Sequence, residues 1–476
     1  MTRIRALAAV GGLVLTFAAH AAMAGPRSTP FDGPLSDPTL ELSANAMTAD
    51  YGLSIAEARY QMSRQGATLA VAARLAEAAG PAFAGSNIDH ARHGLLELNV
   101  TSPATVATAV AAERAAGFAI EVRRVAQSQQ TMDATAARLR TSLDAAHVAY
   151  REIRPDLKDN LVHVVVPEDG GTQVKDVSAN ASKGRSIALR ERGVVLDVSG
   201  GTILKTSCTT GAYFICTAPL RGGVEINNPR GGCTSGIMTK SKTNNLVYML
   251  TAGHCVHSIA PCLNGSDTNA WQTAFPDNSV HSIGAMHNYN FNGACDARTG
   301  DVTGDFNHDW GIVGLTNPAG WGYNPAVPSS YPQSHVLVDS FNNATRSTTY
   351  SDTYKITGLG SSSTLSGSSY LCWTGASSGT SCGQFGGVTG NTYIIKPNLR
   401  SGSPCQGDSG GPLYSGGLLY GIDESIDGSA GRTTTIRNTR YFGNPSQNLL
   451  CANNTGTAYF SSAAVAMADM NVQLIP

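Results

Sequence analysis

The sequence predicts a mainly β protein in which a barrel or sandwich of short strands follows a small α+β domain. Residues 25–200 are rich in alanine at helical spacing, whereas residues 222–476 alternate β-branched and aromatic runs with Gly, Asn, Ser and Pro clusters. All ten cysteines lie between Cys208 and Cys451. Hydrophobic residues make up 42% of the chain and charged residues only 14%, which argues against extensive disorder.

The first 24 residues are typical of a secretory signal peptide. Arg3 and Arg5 precede the apolar run 6–19, and Ala22-Met23-Ala24 supplies small residues before a cleavage site at Gly25. The apolar run is too short to cross a membrane. We therefore expect export to the extracellular space, where cysteines are oxidised.

Residues 25–200 combine helical and strand-like segments. Apolar residues recur three and four apart in Ala56–Met62 and in Ala104–Ala116, which indicates helices. Between and after them, Gly94–Val100 and Leu161–Val166 have the composition of strands. This part therefore reads as an α+β domain, and residues 201–221 as the linker that precedes the β-rich domain 222–476.

Charge and cysteine usage exclude several function classes. The formal net charge of −1 provides no basic field for nucleic acid or anionic membranes. The cysteines are even in number and contain no C-x-x-C pair, so disulfides are favoured over a zinc site. The sequence alone leaves many pairings open. The Ser/Gly-rich stretch Gly360–Ser369 is interpreted as a surface loop.

Three short segments carry residues suited to nucleophilic catalysis. Ser409 lies among glycines in Gly407–Gly411, where the backbone can turn sharply. His254 follows a strand-like run, and Asp309 opens another. A serine hydroxyl needs a base to take its proton, and a buried carboxylate to fix the tautomer of that base. These three residues are the candidate catalytic set, and His308 is a rival base beside the aspartate.

Two other hydrolase interpretations fail, one on residue order and one on a missing motif. Gly407-x-Ser409-x-Gly411 also fits the nucleophile elbow of an α/β-hydrolase, which requires its histidine after the serine. The last histidine of the chain is His335, so this interpretation is excluded. A zinc hydrolase lacks support because the chain has no His-Glu-x-x-His motif.

Two motifs resemble the chymotrypsin-like serine protease family. They are Thr251-Ala252-Gly253-His254-Cys255 and Gly407-Asp408-Ser409-Gly410-Gly411-Pro412. Gly222–Cys233 and Leu371–Gly375 are similar to the bacterial, streptogrisin-like branch. The resemblance covers about residues 220–476 and implies a double β-barrel protease domain, preceded by a propeptide.

The resemblance also assigns roles. It implies that Ser409 attacks the scissile carbonyl, that His254 acts as general base and then general acid, and that Asp309 orients the imidazole. The backbone N–H groups of Gly407 and Ser409 would form the oxyanion hole. The family pattern implies the disulfides Cys233–Cys255, Cys372–Cys382 and Cys405–Cys451, with Cys262–Cys295 and Cys208–Cys216 as the remaining pairs.

Some positions depart from the family. No Ile-Val-Gly-Gly start is present, so the partner of Asp408 is not identified by the sequence. By the resemblance, Ser403 lies at the floor of the specificity pocket, which favours apolar or aromatic side chains over basic ones. Asp423 and Glu424 lie in the pocket-wall segment that follows Gly421, which is unlike the corresponding segment of the family, and they can reverse that preference if they face the pocket.

No cofactor is expected. The acidic residues Asp296, Asp301 and Asp305 do not have the spacing of a calcium-binding EF-hand, so they are interpreted as a solvated loop.

The predicted function is a secreted serine endopeptidase, made as a pro-enzyme and acting on protein or peptide substrates as a monomer. The cysteine-free N-terminal domain is expected to assist folding and to block the site as a propeptide, although it can also be an accessory domain that stays attached. Processing sites are expected among Arg185, Arg190, Arg192 and Arg221. The alternatives are a catalytically inactive homologue that serves as a secreted binding module, and an esterase with the same triad.

Overall fold

The structure is a computed structural model that describes the chain in segments. The described residues are 35–145, 152–167, 194–199, 203–205, 220–228, 231–257, 270–274, 280–291, 294–295, 302–303, 308–321, 323–324, 326–342, 347–397, 404–405, 407–427, 432–436, 447–451 and 457–475. The predicted signal peptide and the four arginines proposed as processing sites lie outside these residues, with the exception of Arg221. No helix in the described segments has the length and apolarity that a membrane crossing requires.

The described residues of the N-terminal part form four α-helices and two small sheets. The helices are α1 (Pro38–Tyr51), α2 (Ile55–Ala79), α3 (Ala107–Ala115) and α4 (Gln129–Ala145). One sheet has the order β1-β2-β3, with β1 (Phe83–Asp89), β2 (Leu95–Val100) and β3 (Ile120–Arg124). The other has the order β4-β5-β6, with β4 (Glu152–Asp156), β5 (Leu161–Pro167) and β6 (Val194–Ser199).

Local sequence signals explain where the first helices begin and end. The side chain of Asp37 accepts hydrogen bonds from the N–H groups of Thr39 and Leu40, and Pro38 occupies the first helical position. Gly52 ends α1 with a φ of 66°, a left-handed conformation that glycine adopts readily. The predicted helix Ala56–Met62 lies within α2, and the predicted helix Ala104–Ala116 contains α3 and exceeds it at both ends. The predicted strands match β2 and β5 to within one residue.

In the described residues, nine strands lie between the N-terminal part and β16. They are β7 (Ile203–Lys205), β8 (Glu225–Asn228), β9 (Gly231–Thr234), β10 (Ile237–Ser241), β11 (Val247–Thr251), β12 (Ala270–Ala274), β13 (Val280–Phe291), β14 (Ala294–Cys295) and β15 (Val302–Thr303), with the single helical turn α5 (Gly253–Val256) after β11. β16 (Asp309–Leu315) pairs with both β11 and β13. The first large sheet has the order β28-β10-β11-β16-β13-β12-β8-β9, in which β28 is Val472–Leu474.

The second large sheet closes on itself. Its elements and their neighbours are β17 (His335–Asn342), β18 (Ser347–Lys355), β19 (Gly358–Leu359), β20 (Tyr370–Gly375), β21 (Gly379–Thr389), β22 (Thr392–Pro397), β23 (Pro412–Ser415), β24 (Leu418–Asp427), β25 (Arg432–Ile436), β26 (Gln447–Cys451), β27 (Ala458–Ser462), α6 (Ala463–Asp469) and β28 (Val472–Leu474). The order β24-β23-β20-β21-β22-β27 becomes a ring because β24 also pairs with β27. This ring is a β-barrel. The prediction of a mainly β fold is confirmed.

The N-terminal part packs against this barrel. Ala44 and Met47 of α1 and Met62 of α2 share a buried cluster with barrel residues such as Tyr370. Oε1 of Gln65 accepts a hydrogen bond from the N–H of Tyr370 at 2.9 Å, and Nε2 of Gln65 donates to the carbonyl of Tyr370 at 3.3 Å. The two parts are therefore joined by apolar burial and by direct bonds to the barrel backbone.

Part of the Ser/Gly-rich segment at 360–369 lies in this contact. Ser366 and Ser369 are buried. The N–H of Ile88 donates to the carbonyl of Gly367 at 3.0 Å, and Oγ of Ser86 lies 2.7 Å from Oγ of Ser366. The interpretation of this segment as a surface loop was therefore wrong for Ser366 and Ser369, whereas Ser361, Ser363 and Thr364 are exposed. Small side chains let β1 approach its backbone closely.

Candidate active site

His254 lies in the single helical turn that follows β11. That strand ends at Thr251, and the turn then contacts β13 and β16. A Cβ at Gly253 would lie 2.9 Å from both the carbonyl oxygen of Asn290 and the amide nitrogen of Trp310, so a larger residue could not approach these strands without displacing them. The histidine is buried, with 3% of its surface exposed.

Asp309, the first residue of β16, holds His254 at two points. Oδ2 lies 2.9 Å from Nδ1 of the imidazole, and Oδ1 accepts a hydrogen bond from the backbone N–H of His254 at 2.8 Å. The carboxylate is fully buried. Because an ionised carboxylate only accepts hydrogen bonds, it places the imidazole proton on Nδ1 and leaves the lone pair on Nε2. The pair can therefore take up a proton through Nε2.

Ser409 lies in a sharp turn, Gly407–Gly411, which we call the serine turn. Gly407 and Gly410 have φ values of 100° and 91°, a region that residues with side chains rarely adopt. Ser409 is fully buried, and its carbonyl accepts a hydrogen bond from the N–H of Thr234 at 2.8 Å. The amide groups of Gly407 and Ser409, the predicted oxyanion donors, both belong to this turn.

The serine turn packs on the segment that carries His254. A Cβ at Gly410 would lie 2.1 Å from Oγ1 of Thr251, three residues before the histidine. Sγ of Cys255 lies 3.8 Å from Nε2 of His254 and 3.8 Å from the carbonyl oxygen of Ser409. The structure therefore brings Nε2 of the predicted base and the carbonyl oxygen of the predicted nucleophile each to 3.8 Å from one sulfur atom.

Disulfides brace two of these elements. Cys233–Cys255 ties β9 to the turn that bears the histidine, and Cys372–Cys382 joins β20 to β21. Both were predicted. Cys405 is also disulfide-bonded. The side chains of Cys451, its predicted partner, and of Cys295 are not among those described. Cys262, Cys208 and Cys216 lie outside the described residues, so the predicted pairs Cys262–Cys295 and Cys208–Cys216 stay predictions.

Asp408 has a partner that the sequence did not identify, a cradle of three backbone amides. Oδ1 accepts hydrogen bonds from the N–H groups of Ser377 at 2.7 Å and Ser378 at 2.9 Å, and Oδ2 accepts one from Cys405 at 2.7 Å. Burial raises the pKa of Asp408 to about 6, against the lowering effect of these hydrogen bonds. The carboxylate thus anchors the serine turn to the turn between β20 and β21.

Gly375 makes room for this anchor. A Cβ there would lie 2.1 Å from both Cγ and Oδ1 of Asp408. The last residue of β20 must therefore be glycine for the carboxylate to reach the amides of Ser377 and Ser378. No motif in the sequence indicates this requirement, because the two residues are far apart along the chain.

Asp423 and Glu424, the two acids of the predicted pocket wall, are buried in β24. Oε2 of Glu424 accepts hydrogen bonds from the hydroxyls of Thr392 and Ser461, each at 3.0 Å. Asp423 is also fully buried, and its backbone bonds to the serine turn: its carbonyl accepts from the N–H of Gly410, and its own N–H donates to the carbonyl of Gly411. Ser403, predicted at the pocket floor, lies outside the described residues.

The rival base proposed from the sequence is His308. His308 packs near Trp310, with ring centroids 5.7 Å apart, whereas the carboxylate of Asp309 bonds to His254.

Cys233, His254 and Cys255 cluster closely enough to hold a metal. Their sulfur atoms form a disulfide, however, and so supply no thiolate ligand. The acidic residues Asp296, Asp301 and Asp305 lie outside the described residues.

Comparison with known proteins finds one family model that matches the C-terminal part of the chain. Residues 221–442 match the model of the Trypsin family. No curated protein matches the chain.

Solved structures with similarity include Thermobifida fusca Protease A, at 18% identity and a TM-score of 0.28, covering 54% of this chain and 98% of that one. Cellulomonas bogoriensis chymotrypsin is 16% identical with a TM-score of 0.28, covering 53% and 97%. An α-lytic protease homolog, N4, is 18% identical with a TM-score of 0.30, covering 55% and 100%.

The match to the family model agrees with the mainly β fold and with the motifs around His254 and Ser409. Residues 221–442 therefore match the Trypsin family model, and the chain has a mainly β, chymotrypsin-like protease fold that includes a β-barrel.

Proposed function

We propose that this chain is a secreted serine endopeptidase whose triad is His254, Asp309 and Ser409. The observation that carries the proposal is the buried His254–Asp309 pair, with 2.9 Å between Nδ1 and Oδ2. This pair leaves Nε2 as the basic atom, on the side of the ring where Cys255 also contacts Ser409. A base with a fixed tautomer beside a serine in a glycine turn is the arrangement that acyl transfer requires.

In the first half of the reaction, Oγ of Ser409 attacks the scissile carbonyl carbon while its proton moves to Nε2 of His254. The C–N bond then breaks, and the histidine gives this proton to the leaving amine. In the second half, water attacks the acyl-enzyme, its proton passes through the same histidine to Oγ, and the carboxylic acid leaves. Asp309 stabilises the imidazolium in both halves.

The oxyanion that forms on the carbonyl requires fixed donors. The amides of Gly407 and Ser409 are the candidates, because the turn that bears them is held by Asp408 and by the bonds of Asp423 to Gly410 and Gly411. Each pre-positioned donor of this kind lowers the activation barrier by about 2.7–4 kcal/mol.

We further propose that the N-terminal part acts as a propeptide, that residues 1–24 direct export, and that the mature protease is a monomer. The contact of Gln65 with the backbone of Tyr370, and the burial of Met47 and Met62 on the barrel, support a role in assembling that barrel. A β-rich domain folds slowly because its pairings are non-local, so a preformed surface can assist it.

The test compares Ser409→Ala with Ser415→Ala. Both remove one buried hydroxyl from the same domain, but only the first removes the nucleophile. Casein hydrolysis should fall by roughly 10⁴-fold or more for Ser409→Ala and stay near the wild-type value for Ser415→Ala.

A small fluorophosphonate should label the processed wild type and not Ser409→Ala. An unlabelled wild type would instead indicate an inactive homologue that serves as a binding module. Turnover of esters without casein hydrolysis would indicate an esterase.

A further inference from the structure

Thr234, the last residue of β9, connects three segments of the candidate active site and is fully buried. Its N–H donates to the carbonyl oxygen of Ser409 at 2.8 Å, and its hydroxyl donates to the carbonyl oxygen of Gly407 at 2.7 Å. The hydroxyl also accepts a hydrogen bond from the N–H of Ala376 at 2.9 Å. The carbonyl of Thr234 accepts one from the hydroxyl of Thr251 at 2.9 Å. One residue thus bonds to the serine turn, to the turn between β20 and β21, and to the end of β11.

The two bonds to the serine turn hold the peptide units on either side of a candidate oxyanion donor. The carbonyl of Gly407 belongs to the peptide unit that it forms with Asp408, and the carbonyl of Ser409 belongs to the unit that it forms with Gly410. Between them lies the unit of Asp408 and Ser409, whose N–H is one of the two candidate donors. The carbonyl of this middle unit accepts a hydrogen bond from the N–H of Gly411 at 2.8 Å. Because each unit is planar, a bond to its oxygen also sets the direction of its N–H.

The serine turn needs this support because glycine supplies little stiffness of its own. Gly407 has a φ of 100°, and the backbone of a glycine moves between conformations at low cost. Rotation about the backbone bonds of Gly407 would change the angle between its own N–H, the other candidate donor, and the N–H of Ser409. The bond from the hydroxyl of Thr234 to the Gly407 carbonyl opposes that rotation.

The surroundings of the hydroxyl fix the direction of its proton. A threonine hydroxyl has one proton to donate and two lone pairs. The N–H of Ala376 takes a lone pair, and the carbonyl of Gly407 can only accept, so the proton lies between Oγ1 and Gly407. The side chain is also β-branched, which restricts rotation about χ1. Thr234 is therefore a rigid support for the Gly407 carbonyl before any substrate arrives.

The turn that orients this hydroxyl also holds Asp408. Ala376 is followed by Ser377 and Ser378, whose amides donate to Oδ1 of that carboxylate. The same short turn therefore holds the Asp408 side chain directly, and the neighbouring carbonyl through Thr234.

From these bonds we infer that Thr234 is a positioning residue for the oxyanion hole, and that its hydroxyl keeps the N–H groups of Gly407 and Ser409 aimed at one point. The inference rests on the proposed protease function. Negative charge develops on the carbonyl oxygen of the substrate only when Oγ of Ser409 attacks, so donors held in advance act mainly on the transition state. Loss of the hydroxyl should therefore lower kcat and leave KM nearly unchanged.

The first test compares Thr234→Val with Thr239→Val. Both replace a buried threonine of the same sheet by a side chain of similar shape, and both remove a hydroxyl that donates to a backbone carbonyl. The acceptor of Thr239 is the carbonyl of Tyr248 in β11. With the processed enzyme and a tripeptide nitroanilide, kcat should fall at least about tenfold for Thr234→Val, with KM within about twofold of the wild-type value. Thr239→Val should keep both constants near wild type, and equal kcat values for the two variants would overturn the inference.

The second test measures the binding of a transition-state analogue. A trialanyl trifluoromethyl ketone forms a hemiketal with Oγ of Ser409, and the hemiketal oxygen carries the charge that the oxyanion donors stabilise. Its inhibition constant should rise for Thr234→Val by the same factor by which kcat/KM falls. An unchanged inhibition constant beside a lower kcat would contradict the positioning role.

Two further substitutions separate the hydroxyl from the packing of the side chain. Thr234→Ser keeps the hydroxyl and loses the methyl group, and its kcat should stay close to the wild-type value. Thr234→Ala loses both groups and should be as slow as Thr234→Val. Equal kcat values for the serine and alanine variants would overturn the inference, even if the valine variant failed to fold.

The pH profile distinguishes a change at the oxyanion hole from a change at the base. Thr251, which bonds to the carbonyl of Thr234, lies three residues before His254. The acid limb of kcat/KM against pH reports the ionisation of the base in the free enzyme. This limb should lie at the same pH in Thr234→Val and in the wild type. A shifted limb would assign the effect to His254 and contradict the inference.

The behaviour of the wild type separates this inference from the proposed function. A wild type that does not react with the small fluorophosphonate would reject the proposed function itself. A reactive wild type together with an unaffected Thr234→Val variant would reject only the role of Thr234.

Discussion

Oδ1 of Asp408 accepts a hydrogen bond from the amide of Ser377 at 2.7 Å, which ties the serine turn to the turn between β20 and β21. Three backbone amides thus satisfy this buried carboxylate in the uncleaved chain. Because the anchor needs no newly freed N-terminus, the serine turn is already shaped in the full chain. If the N-terminal part is removed as proposed above, its removal would change access to the site and leave the geometry of the serine turn unchanged.

The buried carboxyl of Asp408 should give the fold a specific pH dependence. Its pKa is raised from 3.8 to about 6, so the folded chain binds its proton more tightly than the unfolded chain. The protonated carboxyl should therefore stabilise the fold most below pH 4. Its contribution to the free energy of unfolding, about 3 kcal/mol, should be lost as the pH rises through 6.

This is measured by urea unfolding between pH 4 and 8 in a Ser409→Ala background, which prevents self-digestion. Asp408→Asn in the same background should lack this component of the pH profile. Identical profiles for the two chains would contradict the raised pKa.

Gly375→Ala should impair the active site from a distance. The added methyl group would overlap the carboxylate of Asp408 and push it off its amides, at a cost of about 1–3 kcal/mol or more. Casein hydrolysis by the processed enzyme should fall strongly. Gly314→Ala is the control, since a Cβ there meets its nearest neighbour at an ordinary 3.6 Å. Equal activity of both variants would show that the anchor tolerates displacement.

Asp309→Asn should reduce kcat by about 10⁴-fold while preserving the fold. The amide oxygen can still accept from the backbone N–H of His254, but the NH₂ group would then face Nδ1 and force the imidazole proton onto Nε2. The base would lose its lone pair on the side of Ser409. His308→Ala is the control and should leave kcat near the wild-type value. The reverse result would assign the base to His308.

Glu424 should support the barrel wall through its two hydroxyl partners. Glu424→Ala leaves the hydroxyls of Thr392 and Ser461 without their acceptor, which should cost about 1–3 kcal/mol in urea unfolding of the Ser409→Ala chain. Glu424→Gln keeps an acceptor oxygen and should cost less. A larger loss for the glutamine variant would show that the charge, rather than the acceptor, stabilises the wall.

Gln65→Ala should weaken the contact between the N-terminal part and the barrel. The side chain bonds both the N–H and the carbonyl of Tyr370, and both partners are buried. Losing these bonds should lower the yield of active protease on refolding of the full chain. Gln130→Ala, at an exposed position of α4, should leave the yield unchanged. Equal yields would separate this contact from folding assistance.

The sequence was sufficient for the fold class and for the motif residues because their signals are local. His254 and Ser409 each lie within a short motif whose glycines follow from the tight turn they require, and alternation of apolar residues marks the strands. The partner of Asp408 could not be predicted in this way. Two of its three partners are backbone amides about thirty residues earlier, and nearly every residue type provides a backbone amide.

The contacts of the N-terminal part were equally hidden. The segment around Ser366 has the composition of a free loop, and only the tertiary structure shows that β1 lies against it. The pairing of β7 with β24 also follows from backbone geometry, to which the side chains of Ile203–Lys205 give no clear guide.

The crosslink between Cys233 and Cys255 has a consequence for handling the protein. It closes a loop whose ends are 22 residues apart, and such a link contributes about 3 kcal/mol by restricting the unfolded chain. A thiol reductant in the buffer, or a bacterial expression strain whose interior keeps cysteines reduced, would release the imidazole-bearing turn from its neighbouring strand. Preparations made that way should lose turnover before they lose their β-sheet circular dichroism signal.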